Sequence, residues 1–366
     1  MNAIEQIAIT KIKGIGPKSC KLLLAYFGSL NALFQSSRSQ LNAIPGISKQ
    51  VVETILSKKY MQEAESEYRF AEKHGIDVLW FEDERYPRRL RNCDDAPLLL
   101  FSKGKVDYNK QKVVSVVGTR NATNYGRKLT EELLGGIGRA EVLVCSGLAF
   151  GIDIIAHKAA NSHNIPNVAV LGHGLDRIYP YEHREVALRI MENGSLLSEF
   201  TSGTKPDKTN FPMRNRIIAG LADVTVVVEA ADKGGALITA DIANSYNRDV
   251  CAYPGNVDQP YSNGSNQLIQ MHQAHLIRNS RDLLQLMRWE IPSEPKKDSG
   301  VQLSMLQDLN ADEEKVFGFL KDAGQALIDE LANYCDWPQS KLAIVLLELE
   351  LKGLIQSLPG KIYKLL

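Results

Sequence analysis

The sequence predicts an α/β protein: a doubly wound parallel sheet in the middle of the chain, a pair of helix-hairpin-helix units ahead of it and a winged-helix domain behind it. Three observations carry this. Between Lys112 and Arg288, short β-branched runs alternate with helical stretches, the pattern of parallel strands joined by crossover helices. Near the start, two glycine-centred turns each open a helix. Near the end, three helical segments run into a strand pair around Pro359-Gly360. A chain of 366 residues has the length for two or three domains and can bury a core without disulfide or metal staples. The expected division is a helix-hairpin-helix domain over 1–60, a connector packing on the core over 61–108, the sheet domain over 109–290, a linker over 291–310 and the winged helix over 311–366.

The first segment reads Ile12-Lys13-Gly14-Ile15-Gly16-Pro17 and then an apolar-periodic stretch from Cys20 to Phe27. A looser echo, Ile44-Pro45-Gly46-Ile47-Ser48, precedes Val51 to Leu56. Glycines let a backbone phosphate approach closely, and the helix start just beyond offers N–H groups and positive dipole. Residues 1–60 carry eight basic and two acidic side chains, net +6, in a chain whose 43 cations and 43 anions cancel as a whole. Lys13, Gly14, Gly16 and Lys18 are therefore accessory DNA-binding candidates, with Lys11 and Lys21 around them. Ser48 stands where the second hairpin wants glycine, so that hairpin is expected to be structural. A helical domain used only for packing stays open as the other reading of the segment.

The connector shows a helix from Met61 to His74, a short strand from Asp77 to Trp80, a loop-rich stretch to Pro97 and the apolar run Leu98 to Phe101; no chemistry is expected in it. In the central domain, strands are expected at Val113 to Val117, Val142 to Cys145, Val168 to Leu171, Val224 to Val228, Val250 to Tyr253 and Leu276 to Ile277. Ligands of such sheets sit beyond the carboxyl ends of the strands. The residues there are rich in glycine: Gly118-Thr119-Arg120, Ser146-Gly147 with Gly151, Gly172-His173-Gly174, Gly234-Gly235 and Pro254-Gly255-Asn256. Convergent N–H groups on such loops make a phosphate-binding surface. Neither G-x-G-x-x-G after the first strand nor G-x-x-x-x-G-K-[ST] occurs, which argues against dinucleotide binding and P-loop hydrolysis.

A second constellation, Lys205 to Gly220, packs Lys205, Lys208, Phe211, Arg214 and Arg216 ahead of an apolar helix. Cations among which one ring can stack on a base fit single-stranded nucleic acid. Lys205, Lys208, Phe211 and Arg214 are assigned to binding, and Arg216, nearest the apolar run, to a structural ion pair. The histidines share no metal-ligand spacing, the five cysteines form no C-x-x-C pair, and Ser146 lacks a G-x-S-x-G elbow, so neither metal, cofactor nor hydrolase triad is expected. The first residues show no signal peptide and no apolar run is long enough for a membrane span, which makes a soluble cytoplasmic protein the expectation. The winged helix is net −3, with one cation, Lys341, near the start of its third helix; protein contact or self-association is expected of it more than DNA binding.

The succession Val116-Val117-Gly118-Thr119-Arg120, Ser146-Gly147-Leu148-Ala149-Phe150-Gly151-Ile152-Asp153, Ile178-Tyr179-Pro180, Ser198-Glu199-Phe200, Phe211-Pro212-Met213-Arg214-Asn215-Arg216, Gly234-Gly235-Ala236-Leu237-Ile238-Thr239-Ala240 and Tyr253-Pro254-Gly255 resembles the DNA-processing protein A (DprA, also called Smf) family over roughly residues 61–290. The resemblance implies a Rossmann-like, non-enzymatic, dimeric protein that binds and protects incoming single-stranded DNA and loads the RecA recombinase in natural transformation. It also implies that Arg120, Lys208 and Phe211 lie where the family binds phosphate and stacks bases. A departure is Lys233-Gly234-Gly235-Ala236, where many members have Ser-Gly-Ser. The competing class is a nucleotide-binding or nucleoside-monophosphate-hydrolysing enzyme of a related Rossmann-like fold. Gly234-Gly235 with Thr239 echoes its loop, but Ala240-Asp241 stands where that loop has its glutamate.

Overall fold

The computed structural model describes residues 2–289, 309–358 and 361–365, in two compact units, Met1–Pro292 and Ser293–Leu366. In the first unit the strands are β1 (Asp77–Trp80), β2 (Leu99–Gly104), β3 (Val113–Val117), β4 (Leu143–Ser146), β5 (Asn167–Val170), β6 (Ser195–Ser198), β7 (Val224–Val227), β8 (Asp249–Ala252) and β9 (His275–Leu276). They form one sheet in the order β1-β2-β6-β5-β4-β3-β7-β8-β9. From β6 to β9 every pairing is parallel, while β1 and β2 join antiparallel at one edge.

Continuous apolar strands are what a sheet covered on both faces requires. All five residues of β3 are buried, Val114 and Val116 against the helices Asn124–Ile137 and Ile152–Ser162, Val113 and Val117 against Asn210–Leu221 and Gly235–Ser245. Chain order reverses at β3, with β4 on one side and β7 on the other, so the loops after β3 and β7 open a crevice at the switch point.

Two features differ from the expectation. Ser195–Ser198 carries no strand signal, because two leucines between serines are too short an apolar run. The serines are buried nonetheless, Ser195 bonded to the Tyr108 hydroxyl at 2.6 Å and Ser198 donating to the His173 carbonyl at 2.7 Å. The expected connector also contributes β1 and β2 to the sheet itself. It is clamped there by Arg89, which donates to both oxygens of Asp223 (2.6 and 2.9 Å) and to the carbonyls of Lys110 and Gln111.

The helix-hairpin-helix region consists of helices Ala3–Thr10, Pro17–Phe27, Leu30–Gln35, Arg38–Asn42 and Lys49–Ser57 around a core that includes Ile7, Leu23, Leu33 and Ile55. Gly14 has φ +93°, and a β-carbon on it would lie 3.0 Å from Val51 of the second hairpin, so glycine is needed where the two hairpins meet. The region packs on the helix Tyr60–Lys73, and part of its charge faces inward. Lys11 lies 3.2 Å from the Thr201 hydroxyl and 3.9 Å from Glu63, and Lys21 sits over the Phe81 ring.

The second unit has helices Ala311–Ala323, Ile328–Cys335 and Gln339–Leu351 and strands β10 (Gln325–Leu327), β11 (Ile355–Leu358) and β12 (Ile362–Leu365) in the order β10-β12-β11. This is a winged helix; β10 occupies residues expected to begin the second helix. The Pro359-Gly360 turn and residues 291–308 of the expected linker lie outside the described residues. Lys341 pairs with Asp312 at 2.7 Å and stacks on Trp337, which holds the cation of this helix start beside a carboxylate. Ile344, Leu347 and Leu351 are exposed on the same helix. The C-terminal unit expressed alone is expected to give no mobility shift with duplex or single-stranded DNA at moderate salt; micromolar binding to either would contradict this. No helix among the described residues is long and apolar enough to cross a membrane.

Candidate nucleic-acid interface

The crevice at the switch point holds a cleft of about 380 Å³. It gathers Gly118, Thr119 and Arg120 from the loop after β3, Phe211 and Arg214 from the helix Asn210–Leu221, and Gly234, Gly235 and Thr239 from the start of the helix Gly235–Ser245. The helix Ile152–Ser162 starts at this edge with its first N–H groups already bonded, Ile152 to the Thr119 carbonyl and Ile154 to the Ala149 carbonyl, each at 3.1 Å, whereas Asn210–Leu221 and Gly235–Ser245 start there without a side-chain cap. Their first N–H groups and positive dipole ends favour an anion.

Arg120 is exposed, its guanidinium carbon 5.4 Å from the centre of the Phe211 ring. Phe211 is half-buried, with Gly172 against it and Tyr179 6.4 Å away at 31°. An aromatic face beside an arginine is a platform on which a base can stack while its phosphate meets the cation. Lys205 and Lys208 stand exposed on the loop leading into the Phe211 helix rather than in the cleft lining.

Arg214 forms part of the cleft floor but is only 4% exposed, and its Nη1 donates to the Val170 carbonyl at 2.7 Å. Asp153, 7% exposed, accepts from the Ala149 N–H at 3.4 Å nearby. Burial lowers the Arg214 guanidinium to about 10, with the Asp153 charge opposing and Arg120 adding to the drop. Burial pushes the Asp153 carboxyl up, against the pull of Arg214. Gly147 does not line the cleft; a β-carbon on it would overlap Arg214 Nη1. Glycine therefore makes room for the guanidinium rather than for a ligand.

Ser146 is the last residue of β4 instead of the first of the loop. It is buried, with its hydroxyl donating to the Val116 carbonyl at 2.7 Å, and does not reach the cleft. The Thr239 hydroxyl likewise donates to the Gly235 carbonyl at 2.8 Å, so Thr239 lines the cleft with its hydroxyl already engaged. Arg216 pairs with Glu199 and donates to the Asp95 carbonyl, a structural ion pair as expected. Asn121, Lys233 and Tyr261 also line the cleft. Lys233 adjoins the glycine pair and could have been found from it. Tyr261 comes from the loop after β8, where nothing in the local pattern marks it, and is joined to Asn121 by a hydrogen bond of 3.0 Å to its hydroxyl.

The sequence pattern of DNA recombination-mediator protein A matches residues 77–288, which include every strand of the sheet and the whole cleft. The chain belongs to this family. Both flanking modules match as well: a DprA winged-helix domain over residues 304–361 and a SAM-like helix-hairpin-helix tandem over 7–58. Protein Smf of Synechocystis is 30% identical over 391 residues, covering 98% of this chain and 97% of its own. Protein Smf of Escherichia coli K12 is 33% identical over 300 residues, covering 81% and 79%. Among solved structures, DprA from Streptococcus pneumoniae superposes with a TM-score of 0.67 at 32% identity, covering 79% of this chain and 99% of that one. DNA processing protein A from Helicobacter pylori, described for its single-stranded DNA binding mode, gives 0.54 at 28% identity over 59% of this chain and 97% of that one.

Lys13, Gly14, Gly16 and Lys18, expected as accessory binding residues, lie apart from the cleft lining. Lys13 and Gly16 are exposed, and Lys18 is 3.8 Å from Asp94 with both side chains largely in solvent. Such a pair contributes little and leaves the lysine available to a phosphate. Replacing Lys13 and Lys18 together with glutamate is expected to weaken DNA binding at low salt while leaving the thermal midpoint in place. Deleting residues 1–60 would be a poorer test, because it would uncover the helix Tyr60–Lys73. Unchanged low-salt affinity in the double variant would make the hairpin purely structural.

Proposed function

We propose that the protein binds single-stranded DNA at the carboxyl edge of the sheet, protects it, and acts without chemical turnover as a loader of the RecA recombinase in natural transformation or recombination, working as a homodimer. The observation that carries the reading is the Arg120–Phe211 stack in one cleft with two helix starts that lack a side-chain cap. Dipoles and cation serve a phosphate, and the ring serves a base. The described DNA-binding mode of the Helicobacter pylori relative supports the same ligand. The Thr119 N–H already donates to the Glu229 carbonyl at 2.7 Å, so Gly118, Gly234 and Gly235 would present backbone N–H groups, Arg120, Lys205 and Lys208 the charge, and Phe211 the stacking face. Arg214 would hold the floor from beneath. RecA and a second copy of the chain are the protein partners in this reading.

The hydrolytic alternative would need a carboxylate at the reacting bond. Asp153, the carboxylate of the cleft, is buried, and Asp241 does not line it. The test compares the affinity of the full chain for an oligothymidylate and for a duplex of equal length at about 50 and 200 mM salt, where phosphate contacts make affinity fall steeply. Tighter binding to the single strand at both salts is expected, and no base is expected to be released from nucleoside monophosphates. Preference for the duplex, or release of base, would overturn the reading.

A further inference from the structure

Beside the Arg120 cleft lies a second one of about 470 Å³, whose lining includes Tyr125, Asn256, Gln259, Tyr261 and Glu229. Tyr261 lines both, and its hydroxyl accepts from Asn121 of the first cleft's lining, so this hydrogen-bonded pair forms a ridge at the border the two clefts share. We propose that the second cleft receives a nucleobase of the same DNA strand, one that has crossed the Asn121–Tyr261 ridge. The proposal rests on the reading that the strand occupies the first cleft.

The chemistry of the lining selects a base over a phosphate. It contains no lysine or arginine, so a phosphate entering it would lose its hydration without gaining a cation. Its carboxylate, Glu229, is buried, and both oxygens are taken by Thr123, one by the backbone N–H at 3.0 Å and the other by the hydroxyl. What remains is neutral: two phenol rings and two side-chain amides. Among the described residues the amides of Asn256 and Gln259 make no hydrogen bond with the protein, although each carries a donor pair and an acceptor. Unstacked bases of a single strand are recognised by this combination, a ring on the face and amides on the edge.

The cleft is also built in advance. The Tyr125 hydroxyl donates to the Pro254 carbonyl at 2.8 Å, which fixes the ring while leaving 47% of the residue exposed. The Asn266 side chain holds Gly255 from both sides, accepting from its N–H at 3.1 Å and donating to its carbonyl at 2.9 Å, so the loop bearing Asn256 and Gln259 is anchored at its start. A site that needs no rearrangement keeps more of its contact energy as affinity.

The test measures fluorescence anisotropy of oligothymidylates of increasing length with the full chain and four variants: Tyr125→Ala, Tyr125→Phe, the pair Asn256→Ala with Gln259→Ala, and Arg120→Ala. For oligomers long enough to reach both clefts, Tyr125→Ala and the amide pair are expected to lose about tenfold in affinity, with an unchanged dependence on salt because no counterion is involved. The shortest oligomers that bind should not distinguish these variants from the parent, and with longer ones Tyr125→Phe, which keeps the stacking face and loses only the bond to Pro254, should lose clearly less than Tyr125→Ala. Full affinity of the amide pair and Tyr125→Ala at all lengths, with Arg120→Ala weakened, overturns the base site and leaves the first cleft standing. Equal losses in Tyr125→Ala and Tyr125→Phe assign the effect to the Pro254 loop and also overturn it. Normal binding by Arg120→Ala, with losses in the others, instead overturns the reading of the first cleft.

Discussion

Replacing Arg120 and Lys208 together with alanine is expected to remove most of the affinity for single-stranded DNA at moderate salt and to flatten its salt dependence. On a single strand each phosphate contact contributes about 0.7 to the slope of log affinity against log salt, so losing two should lower that slope by about 1.4. Phe211→Ala should behave differently. Stacking on one ring is worth about 1–3 kcal/mol per base and releases no counterion, so affinity falls while the slope stays. Arg120 lies over the Phe211 ring, which couples the two residues; the losses of Arg120→Ala and Phe211→Ala should not add. Anisotropy titrations at four or five salt concentrations measure all of this. Unchanged affinity in the Arg120/Lys208 pair would remove the phosphate role from this loop.

The second large effect concerns stability. Arg214→Met leaves Asp153 buried without the neighbouring cation and strips the Val170 carbonyl of a donor. Leaving a buried acceptor without its donor costs about 1–3 kcal/mol, and the loss of the guanidinium's field on Asp153 adds to it, enough to lower the melting temperature of a unit this size by several degrees. The sign with pH follows from Asp153. Its folded-state value is already raised by burial and rises further once Arg214 is gone. A carboxyl raised in this way contributes stability below its unfolded value and loses it as pH rises through the folded one. The deficit relative to the parent should therefore be largest at neutral pH and shrink towards pH 4, as read from melting temperatures of both proteins in matched buffers. Replacing Asp153 with leucine as well should recover part of the loss at pH 7. A deficit independent of pH would show that Asp153 does not sense the guanidinium.

What the sequence makes legible is what repeats or clusters within it. β3 and β7 are runs of β-branched residues, and the Gly-rich loops follow them directly, so the crevice could be placed before its geometry was seen. Phe211 and Arg120 come from distant segments, but each carries its own local mark, a ring among cations and a cation after a strand-end glycine. Ser146 misleads because a one-residue shift in the end of β4 turns a loop hydroxyl into a buried one. Arg214 misleads for a different reason: whether an arginine in a basic cluster faces water or the core depends on Val170 and Gly147, about 44 and 67 positions upstream. Tyr261 and Tyr125 carry no local mark, since the loop after β8 and the helix after β3 meet only in the folded sheet.

The antiparallel pair β1–β2 has a practical meaning for anyone trimming the chain. A fragment starting at residue 109 would look like a tidy domain in the sequence, yet it would leave β6 as a bare margin, with Leu196 and Leu197 uncovered and its outward N–H and C=O groups seeking another strand. Such a fragment should be recovered in inclusion bodies, or as oligomers formed through that margin, and self-association seen with the fragment but not with the full chain would belong to the cut.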